Sequence, residues 1–260
     1  MPFNTLLTED RGAVRLITVN RPDKLNALNR ETLTELHTAF AAAAEEASVR
    51  AVVLTGAGPK AFVAGADIAE MNGLTPVQAR DFSRHGQALM TRIERLGKPV
   101  IAMLNGFALG GGLELAMACH LRLAADSAKL GQPEINLGLI PGFGGTQRLL
   151  RLAGRAATLE LCLLGAPIGA ERALQLGIVN RVVPAAELEA ATFALAEQLA
   201  RAAPQALRGI LDAVLLGGEA GIDTGLDYET QGFALAFSTE DMKEGTGAFL
   251  AKRTPNFTGR

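Results

Sequence analysis

Short apolar runs recur from the start of the sequence to about residue 150, and each is followed by a turn or a glycine-rich loop. Runs of this length that are rich in β-branched and aliphatic residues are typical of buried strands. We predict a strand over each of them. The runs are residues 14–19, 51–55, 99–104, 121–124 and 129–131.

Between these runs, apolar residues recur at helical spacing. Asn29 can cap a helix that begins at Arg30, and Gly97-Lys98-Pro99 can end a second helix predicted over 76–96. Strand, loop and helix thus repeat, which predicts a layered α/β core. The apolar faces consist of Leu33, Leu36, Phe40 and Ala44 in the first helix and Val77, Phe82, Leu89, Met90, Ile93 and Leu96 in the second.

After residue 145 the pattern changes from strands to helices. Residues 179–183 form one good strand candidate, and helices dominate from Pro184. The excess of apolar surface in this tail favours oligomerisation. We therefore predict an α/β core carrying the active site over residues 1–183 and a helical oligomerisation region over residues 184–260. The predicted helices of the tail are 184–203, 205–216, 221–238 and 239–252.

Composition and charge argue against several classes of protein. The net charge is −2 without a block of Lys or Arg, so we expect no nucleic-acid or membrane partner. Residues 1–10 lack the basic region of a signal peptide, and glycines and Glu114 interrupt the most apolar window, 100–118. Cys119 and Cys162 form no CxxC pattern, which fits free thiols in a reducing compartment. We expect a soluble, cytoplasmic protein.

Familiar cofactor and catalytic motifs are absent from the sequence. Residues 56–61 imitate a dinucleotide fingerprint, but Pro59 and the following FVAGAD break the helix that would hold a pyrophosphate. The chain has no GxSxG, HExxH or P-loop pattern, and its three histidines are scattered. We therefore expect no metal site.

The stretch between Gly106 and Gly145 carries the candidate chemistry. Gly110-Gly111-Gly112 precedes the helix-forming LELAMA, so a helix should begin at the triple glycine. Its first amides lack intrahelical partners, and glycine allows a ligand oxygen to approach them closely. Such donors stabilise an oxyanion, and Glu114 would lie one turn further along. The alternative is that the glycines serve helix packing and that Glu114 complements the helix dipole.

Glu134 favours the functional interpretation. It follows Gln132-Pro133 and precedes the apolar, glycine-rich NLGLIPGFGG. Apolar surroundings raise the pKa of a carboxyl group, and a second carboxylate nearby raises it further. Two carboxyl groups with separated pKa values can divide acid and base roles. We predict that Glu114 and Glu134 perform acid–base chemistry on a small substrate.

These residues lie in longer motifs that resemble the enoyl-CoA hydratase (crotonase) family over nearly the whole chain. The resemblance implies an α/β fold, a crotonase-like spiral of ββα units with a C-terminal α-helical trimerisation region. It also implies assembly as a homotrimer or homohexamer, an acyl-CoA thioester substrate, and no separate cofactor, because CoA is part of the substrate. The motifs are NRPDKLNALN (20–29), AFVAGADIAEM (61–71), KPVIAMLNGFALGGGLELAMACHLRLA (98–124), GQPEINLGLIPGFGGTQRL (131–149) and GTGAFLAKRTPNF (245–257).

The resemblance also implies roles for individual residues. Two backbone N–H groups would hold the thioester carbonyl, and the matching positions are Ala66 and Gly111. Both family acids are present, which resembles a hydratase. Glu114 would activate a water that adds to Cβ, and Glu134 would deliver a proton to Cα, although one water can contact both carboxylates. The alternatives are a Δ3,Δ2-enoyl-CoA isomerase, which needs one base, or another acyl-CoA-modifying member of the family, and a non-catalytic CoA- or RNA-binding member.

Further substrate-binding positions follow from the same resemblance. Hydratases often carry lysine where this chain has Ala69, so either a basic contact with the CoA phosphates is missing here or Lys252 or Arg253 replaces it. Phe143, between two glycines, favours a short acyl pocket. The other expected substrate-binding residues are Leu25, Ala27, Ala64, Asp67, Ile68 and Gly142, with Met71, Leu74 and Leu139 as candidates for the acyl pocket.

Overall fold

Two β-sheets form the centre of the fold, which the computed structural model describes over residues 3–260. The strands are β1 (Leu6–Arg11), β2 (Val14–Val19), β3 (Ala51–Gly56), β4 (Ala61–Val63), β5 (Val100–Leu104), β6 (Phe107–Leu109), β7 (Leu121–Ala125), β8 (Lys129–Gly131), β9 (Ile168–Gly169) and β10 (Arg181–Val183). One sheet has the order β1-β2-β3-β5-β7-β10, and the other has the order β4-β6-β8-β9. The β1–β2 and β8–β9 pairs are antiparallel, and the remaining pairs are parallel.

Helices surround both sheets and make up the C-terminal part of the chain. They are α1 (Arg30–Glu45), α2 (Ile68–Met71), α3 (Pro76–Glu94), α4 (Gly111–Ala118), α5 (Gly145–Leu164), α6 (Ala170–Gln175), α7 (Leu188–Ala200), α8 (Pro204–Asp212), α9 (Ile222–Ala236) and α10 (Glu240–Leu250). The segments Pro22–Lys24, Pro133–Leu137 and Ala185–Glu187 are 3-10 turns, and Ala213–Gly217 is a π-helical turn. Asn29 Oδ1 accepts a hydrogen bond from Thr32 N at 2.9 Å, so the predicted cap of α1 is confirmed.

The core is a repeated ββα unit. β3, β4 and α3 form one unit, β5, β6 and α4 form the next, and β7, β8 and α5 form a third. Each unit places its first strand in the larger sheet and its second strand in the smaller one before the helix follows. The predicted α/β class and the spiral of ββα units are therefore confirmed.

The smaller sheet brings distant parts of the chain together. β4, β6 and β8 are parallel neighbours, with Val63 opposite Ala108 and Leu109 opposite Gly131. The carboxyl ends of parallel strands lie at one edge of a sheet, where ligand sites form in α/β folds. The segments that follow these three strands contain Ala66, the triple glycine and Glu134. The topology alone thus places those residues at one edge.

Most predicted elements occur, with some different bounds. The last predicted strand is shorter, at Arg181–Val183, and the helix expected over 205–216 gives way to a π-helical turn after Asp212. The elements that were not predicted are β1, β4, β6, β9, α2, α5 and α6. After residue 183 the chain contains helical elements only, while the division into two regions stays a prediction. Within residues 3–260, each helix is too short or too polar to cross a membrane.

Candidate active site

A cavity of about 350 Å³ lies at this edge of the smaller sheet. Its wall combines the loop after β4, the first turn of α4, one face of α3 and the segment 133–143. Both candidate acids and both candidate amide donors line it. The lining includes Ala66, Gly111, Glu114, Glu134, Phe82 and Phe143.

The backbone N–H groups of Ala66 and Gly111 have no hydrogen-bond acceptor among the described residues. Their neighbours are fixed: Gly110 N donates to Gly131 O at 2.9 Å, and Asp67 N donates to Leu28 O at 2.8 Å. A Cβ atom built on Gly111 would lie 3.4 Å from Ala66 N, so the two residues face each other closely. Two anchored, unpartnered amides are suited to bind one carbonyl oxygen.

The glycines before α4 are required by the fold around them. Gly110 has φ +50° and ψ −122°, a conformation that side chains disfavour. At Gly112 a Cβ atom would lie 1.8 Å from the carbonyl oxygen of Val63, so only glycine fits between α4 and β4. Helix α4 begins at Gly111, as predicted. Close packing and an accessible helix N-terminus are therefore both present, and neither interpretation of the glycines excludes the other.

Glu114 lies one turn into α4 and is 1% exposed. Its Oε1 accepts hydrogen bonds from Phe143 N at 2.7 Å and from Gly145 N at 2.6 Å. Burial raises the pKa of Glu114 to about 7 and the charge of Glu134 adds to the increase, while the two amides and Arg148 act in the opposite direction. A carboxyl group with such a pKa can gain and lose a proton near neutral pH.

Glu134 lies in the 3-10 turn Pro133–Leu137 and is half-buried. Its Oε1 would lie 2.9 Å from a Cβ atom at Gly110, so the carboxylate sits against the start of α4. The buried Gln132 faces this carboxylate. When the Gln132 side-chain amide is oriented with its nitrogen toward Glu134, Nε2 lies 2.9 Å from Oε1 and 3.1 Å from Oε2 of Glu134. Burial raises the pKa of Glu134. The cavity therefore holds two carboxyl groups with raised pKa values.

Three side chains that the sequence reasoning missed hold the loop opposite Glu114. Ser83 and Gln87 donate to Gly142 O, and Arg148 donates to Phe143 O at 2.9 Å while pairing with an α3 carboxylate. Ser83 and Gln87 lie one turn apart on α3, which was the only available signal in the sequence. Their acceptors are main-chain carbonyl groups, which every residue carries, so the sequence does not reveal them.

Comparison with known proteins agrees with this geometry. The sequence profile described as enoyl-CoA hydratase/isomerase matches residues 9–260. The chain belongs to this family. It is 45% identical to the short-chain-enoyl-CoA hydratase of Clostridium acetobutylicum over 97% of both chains. It is 43% identical to the crotonyl-CoA hydratase of Syntrophomonas wolfei over the whole of both chains. The crystal structure of an enoyl-CoA hydratase from Bacillus anthracis superimposes with a TM-score of 0.96 at 41% identity, covering 99% of this chain and 100% of that one.

In this member of the enoyl-CoA hydratase/isomerase family, the predicted substrate-binding residues fall into two groups. Ala64, Ile68 and Gly142 line the cavity, as do the four candidates for the acyl pocket. Within the described chain the lining does not include Leu25, Ala27, Asp67 or Lys252. The second group makes contacts elsewhere or lies on the outside of the molecule.

Asp67 illustrates the second group. Its Oδ2 accepts from Arg21 at 2.9 Å and its Oδ1 accepts from Ala69 N at 3.2 Å, so it caps α2 and binds an arginine. Leu25 and Lys252 are exposed residues with positive φ values of 50° and 52°. Across residues 3–260, no group of three or more His, Cys, Asp or Glu residues could hold a metal ion.

Proposed function

We propose that this family member is an enoyl-CoA hydratase that adds water reversibly to a trans-2-enoyl-CoA and forms a 3-hydroxyacyl-CoA. The observation that carries the proposal is the cavity in which two carboxyl groups with raised pKa values face two unpartnered backbone N–H groups. The names of the similar proteins from Clostridium acetobutylicum and Syntrophomonas wolfei support it.

The thioester carbonyl oxygen would accept hydrogen bonds from Ala66 N–H and Gly111 N–H. When water adds to Cβ, negative charge moves onto that oxygen, and donors at the start of α4 stabilise it. Losing one such donor costs about 3 kcal/mol of transition-state stabilisation in comparable enzymes. This arrangement favours the transition state over the bound substrate because the charge develops only during the reaction.

The two glutamates would supply the proton transfers. Glu114 takes one proton from a water as the oxygen bonds to Cβ, and Glu134 gives a proton to Cα as the enolate collapses. Burial is the largest effect at both glutamates. At Glu114 two loop amides and Arg148 oppose it, and a pKa of about 7 leaves the ionised form available near neutral pH, as a base requires. At Glu134 only its own backbone N–H opposes burial, and the raised pKa favours the protonated form that an acid requires. Proton return from Glu114 to Glu134 through solvent or a shared water completes the cycle.

The direct test is incubation of the purified protein with crotonyl-CoA in water enriched in heavy oxygen. We expect loss of the enoyl absorbance and a product that carries one solvent oxygen on Cβ. A Δ3,Δ2-enoyl-CoA isomerase would move the double bond without taking up oxygen. No turnover of any enoyl-CoA, together with RNA retained through purification, would instead favour the non-catalytic alternative.

For the acyl chain we propose a short-chain preference. Phe143 is buried, and its ring lies 5.3 Å from the ring of Phe82 across the wall of the cavity. A Cβ atom on Gly86 would lie 2.2 Å from the Phe143 ring, so α3 leaves that ring no room to retreat. Hydration rates with crotonyl-, decenoyl- and hexadecenoyl-CoA should decrease in that order, and a flat profile would contradict the proposal.

We also propose that the C-terminal helices assemble the protein as a homotrimer or homohexamer. Ile222, Phe233 and Leu235 on α9 are 75%, 68% and 70% exposed, an unusual surface for a monomer. Sedimentation analysis should give a mass of three or six times that of the 27.2 kDa chain, and F233D should lower this mass. A monomer at micromolar concentration would contradict this. The absence of a separate cofactor and the cytoplasmic location stay predictions.

A further inference from the structure

The peptide group between Gly142 and Phe143 connects α3 to Glu114. Its carbonyl oxygen accepts from Ser83 Oγ at 2.5 Å and from Gln87 Nε2 at 3.0 Å. Its N–H group donates to Glu114 Oε1 at 2.7 Å. One planar group therefore binds two side chains of α3 on one end and the candidate base on the other.

We propose that Ser83 and Gln87 are positioning residues that act on Glu114 through this peptide group. The proposal rests on the hydratase function proposed above and extends it to residues outside the reacting groups. Because the peptide is rigid, donors on its carbonyl fix the direction in which its N–H points. Donors on the carbonyl also polarise the N–H, and hydrogen bonds in such a chain strengthen one another.

The arrangement is anchored on both sides. Phe143 packs against α3 at Gly86, and Arg148 holds the next carbonyl, Phe143 O. Ser83 is half-buried, while Gln87 is exposed and also donates to Ser83 Oγ at 3.3 Å. The hydroxyl is therefore the inner contact with Gly142 O, and Gln87 supports it from the solvent side.

Loss of these donors has a defined electrostatic consequence. A weaker N–H donor stabilises the ionised form of Glu114 less, so the pKa of Glu114 rises. The other titratable or charged groups that face Glu114 are Glu134, Arg148 and Cys162, and substitution at Ser83 or Gln87 leaves all three in place. A shift in the titration of Glu114 would thus report on the peptide group.

The test compares wild type with S83A, the double variant S83A/Q87M, and S83T, which keeps the hydroxyl. In S83A/Q87M the acidic limb of the kcat profile for crotonyl-CoA should move to higher pH by roughly half a unit. At a pH below the pKa of Glu114, this shift lowers kcat about threefold. KM should change little, and S83T should restore the wild-type profile. An unchanged profile in the double variant would overturn the proposal.

T75A is the matched control. The Thr75 side chain accepts from Gln78 N in a capping box at the start of α3, about two helical turns before Ser83. T75A should lower the melting temperature without moving the pH profile. If T75A shifts the profile as much as S83A/Q87M, the effect belongs to helix stability and the proposal is wrong.

A readout without substrate separates this inference from the proposed function. Infrared titration of the protonated carboxyl band, with E114Q as the subtraction standard, measures the pKa of Glu114 in the free protein. A higher pKa in S83A/Q87M supports the positioning role even if wild type fails to hydrate enoyl-CoA. An unchanged pKa overturns it even if wild type is an active hydratase.

Discussion

Glu114 and Glu134 line one cavity, but the fold holds them in different ways. Glu114 is on a regular helix, is almost wholly buried, and has one oxygen fixed by two loop amides. Glu134 is on a 3-10 turn, is half-buried, and faces a single side-chain amide. Burial favours the neutral form of both side chains, and two loop amides and Arg148 oppose it only at Glu114, so two identical side chains acquire separate roles from their surroundings.

The largest expected effect comes from neutralising either acid. E114Q and E134Q should each lower kcat for crotonyl-CoA by about 10²–10⁴-fold, because each removes one proton transfer while keeping the side-chain shape. The double variant should lose less than the product of the two single losses, since residues that act as a unit are not additive. Steady-state rates measure this, with circular dichroism as the folding control. If either single variant keeps the full rate, the two-acid scheme is wrong.

The next-largest effect concerns stability, where E114Q should improve on wild type although it lowers activity. Folding raises the pKa of Glu114 from its ordinary 4.5 to about 7, so the folded protein holds a proton that the unfolded chain has lost. Wild type is therefore destabilised as pH rises through that window, by about 3 kcal/mol once Glu114 is ionised. E114Q avoids this cost while its Oε1 can still accept both amides.

Urea unfolding at about pH 8 and about pH 4, at one protein concentration, measures this effect. E114Q should be more stable than wild type at the higher pH and equal to it at the lower, where Glu114 is protonated in both states. E134Q should gain less because Glu134 is only half-buried. An E114Q variant less stable than wild type at about pH 8 would contradict the environment assigned to Glu114.

The triple glycine and the two acids could be predicted from local sequence, whereas Ala66 followed only from the family resemblance. Gly110-Gly111-Gly112 and Glu114 share one helix start, and the 51–55 run, apolar except for Thr55, formed strand β3 with one more residue. Their assembly at one edge could not be read from the sequence without the pairing of β4, β6 and β8, each of which has only three residues and no visible alternation.

Other parts escaped prediction for identifiable reasons. β1 reads LLTEDR with its last five residues exposed, so an edge strand there shows no apolar run. Within α5, Gly154 has φ 76° and ψ 173°, which breaks the apolar spacing into two halves. Ser83 acts on a main-chain carbonyl far away in the sequence, and a backbone acceptor has no residue signature.

A smaller effect on activity is expected from substitution of Gln132, which faces Glu134. Q132M keeps the volume but removes the donor that faces the Glu134 carboxylate, so the pKa of Glu134 should rise further. Because Glu134 must be protonated to deliver its proton, the alkaline limb of the kcat profile should move up by about one pH unit. If the acidic limb moves instead, Glu134 is the base and Glu114 is the acid, and the assignment proposed here is wrong.

The smallest effect is expected at Asp67, a third carboxylate that follows the candidate donor Ala66. The hydrogen bond from Arg21 is the main reason why the pKa of Asp67 lies below its ordinary 3.8, so this group stays ionised near neutral pH and has no proton to give. D67N keeps an oxygen for the Ala69 amide and loses the ion pair, which should cost about 1 kcal/mol of stability.

The stability difference between wild type and D67N should vanish as pH falls below 3.8, because a lowered pKa stabilises the fold only while the group is ionised. Crotonyl-CoA hydration by D67N should stay close to the wild-type rate, with an unmoved pH profile. Asp67 directly follows Ala66 but is held in its ionised form by Arg21. D67N therefore serves as the control for E114Q and E134Q. If D67N loses as much activity as E134Q, position next to the thioester matters more than burial, and the contrast between the two glutamates does not explain the chemistry.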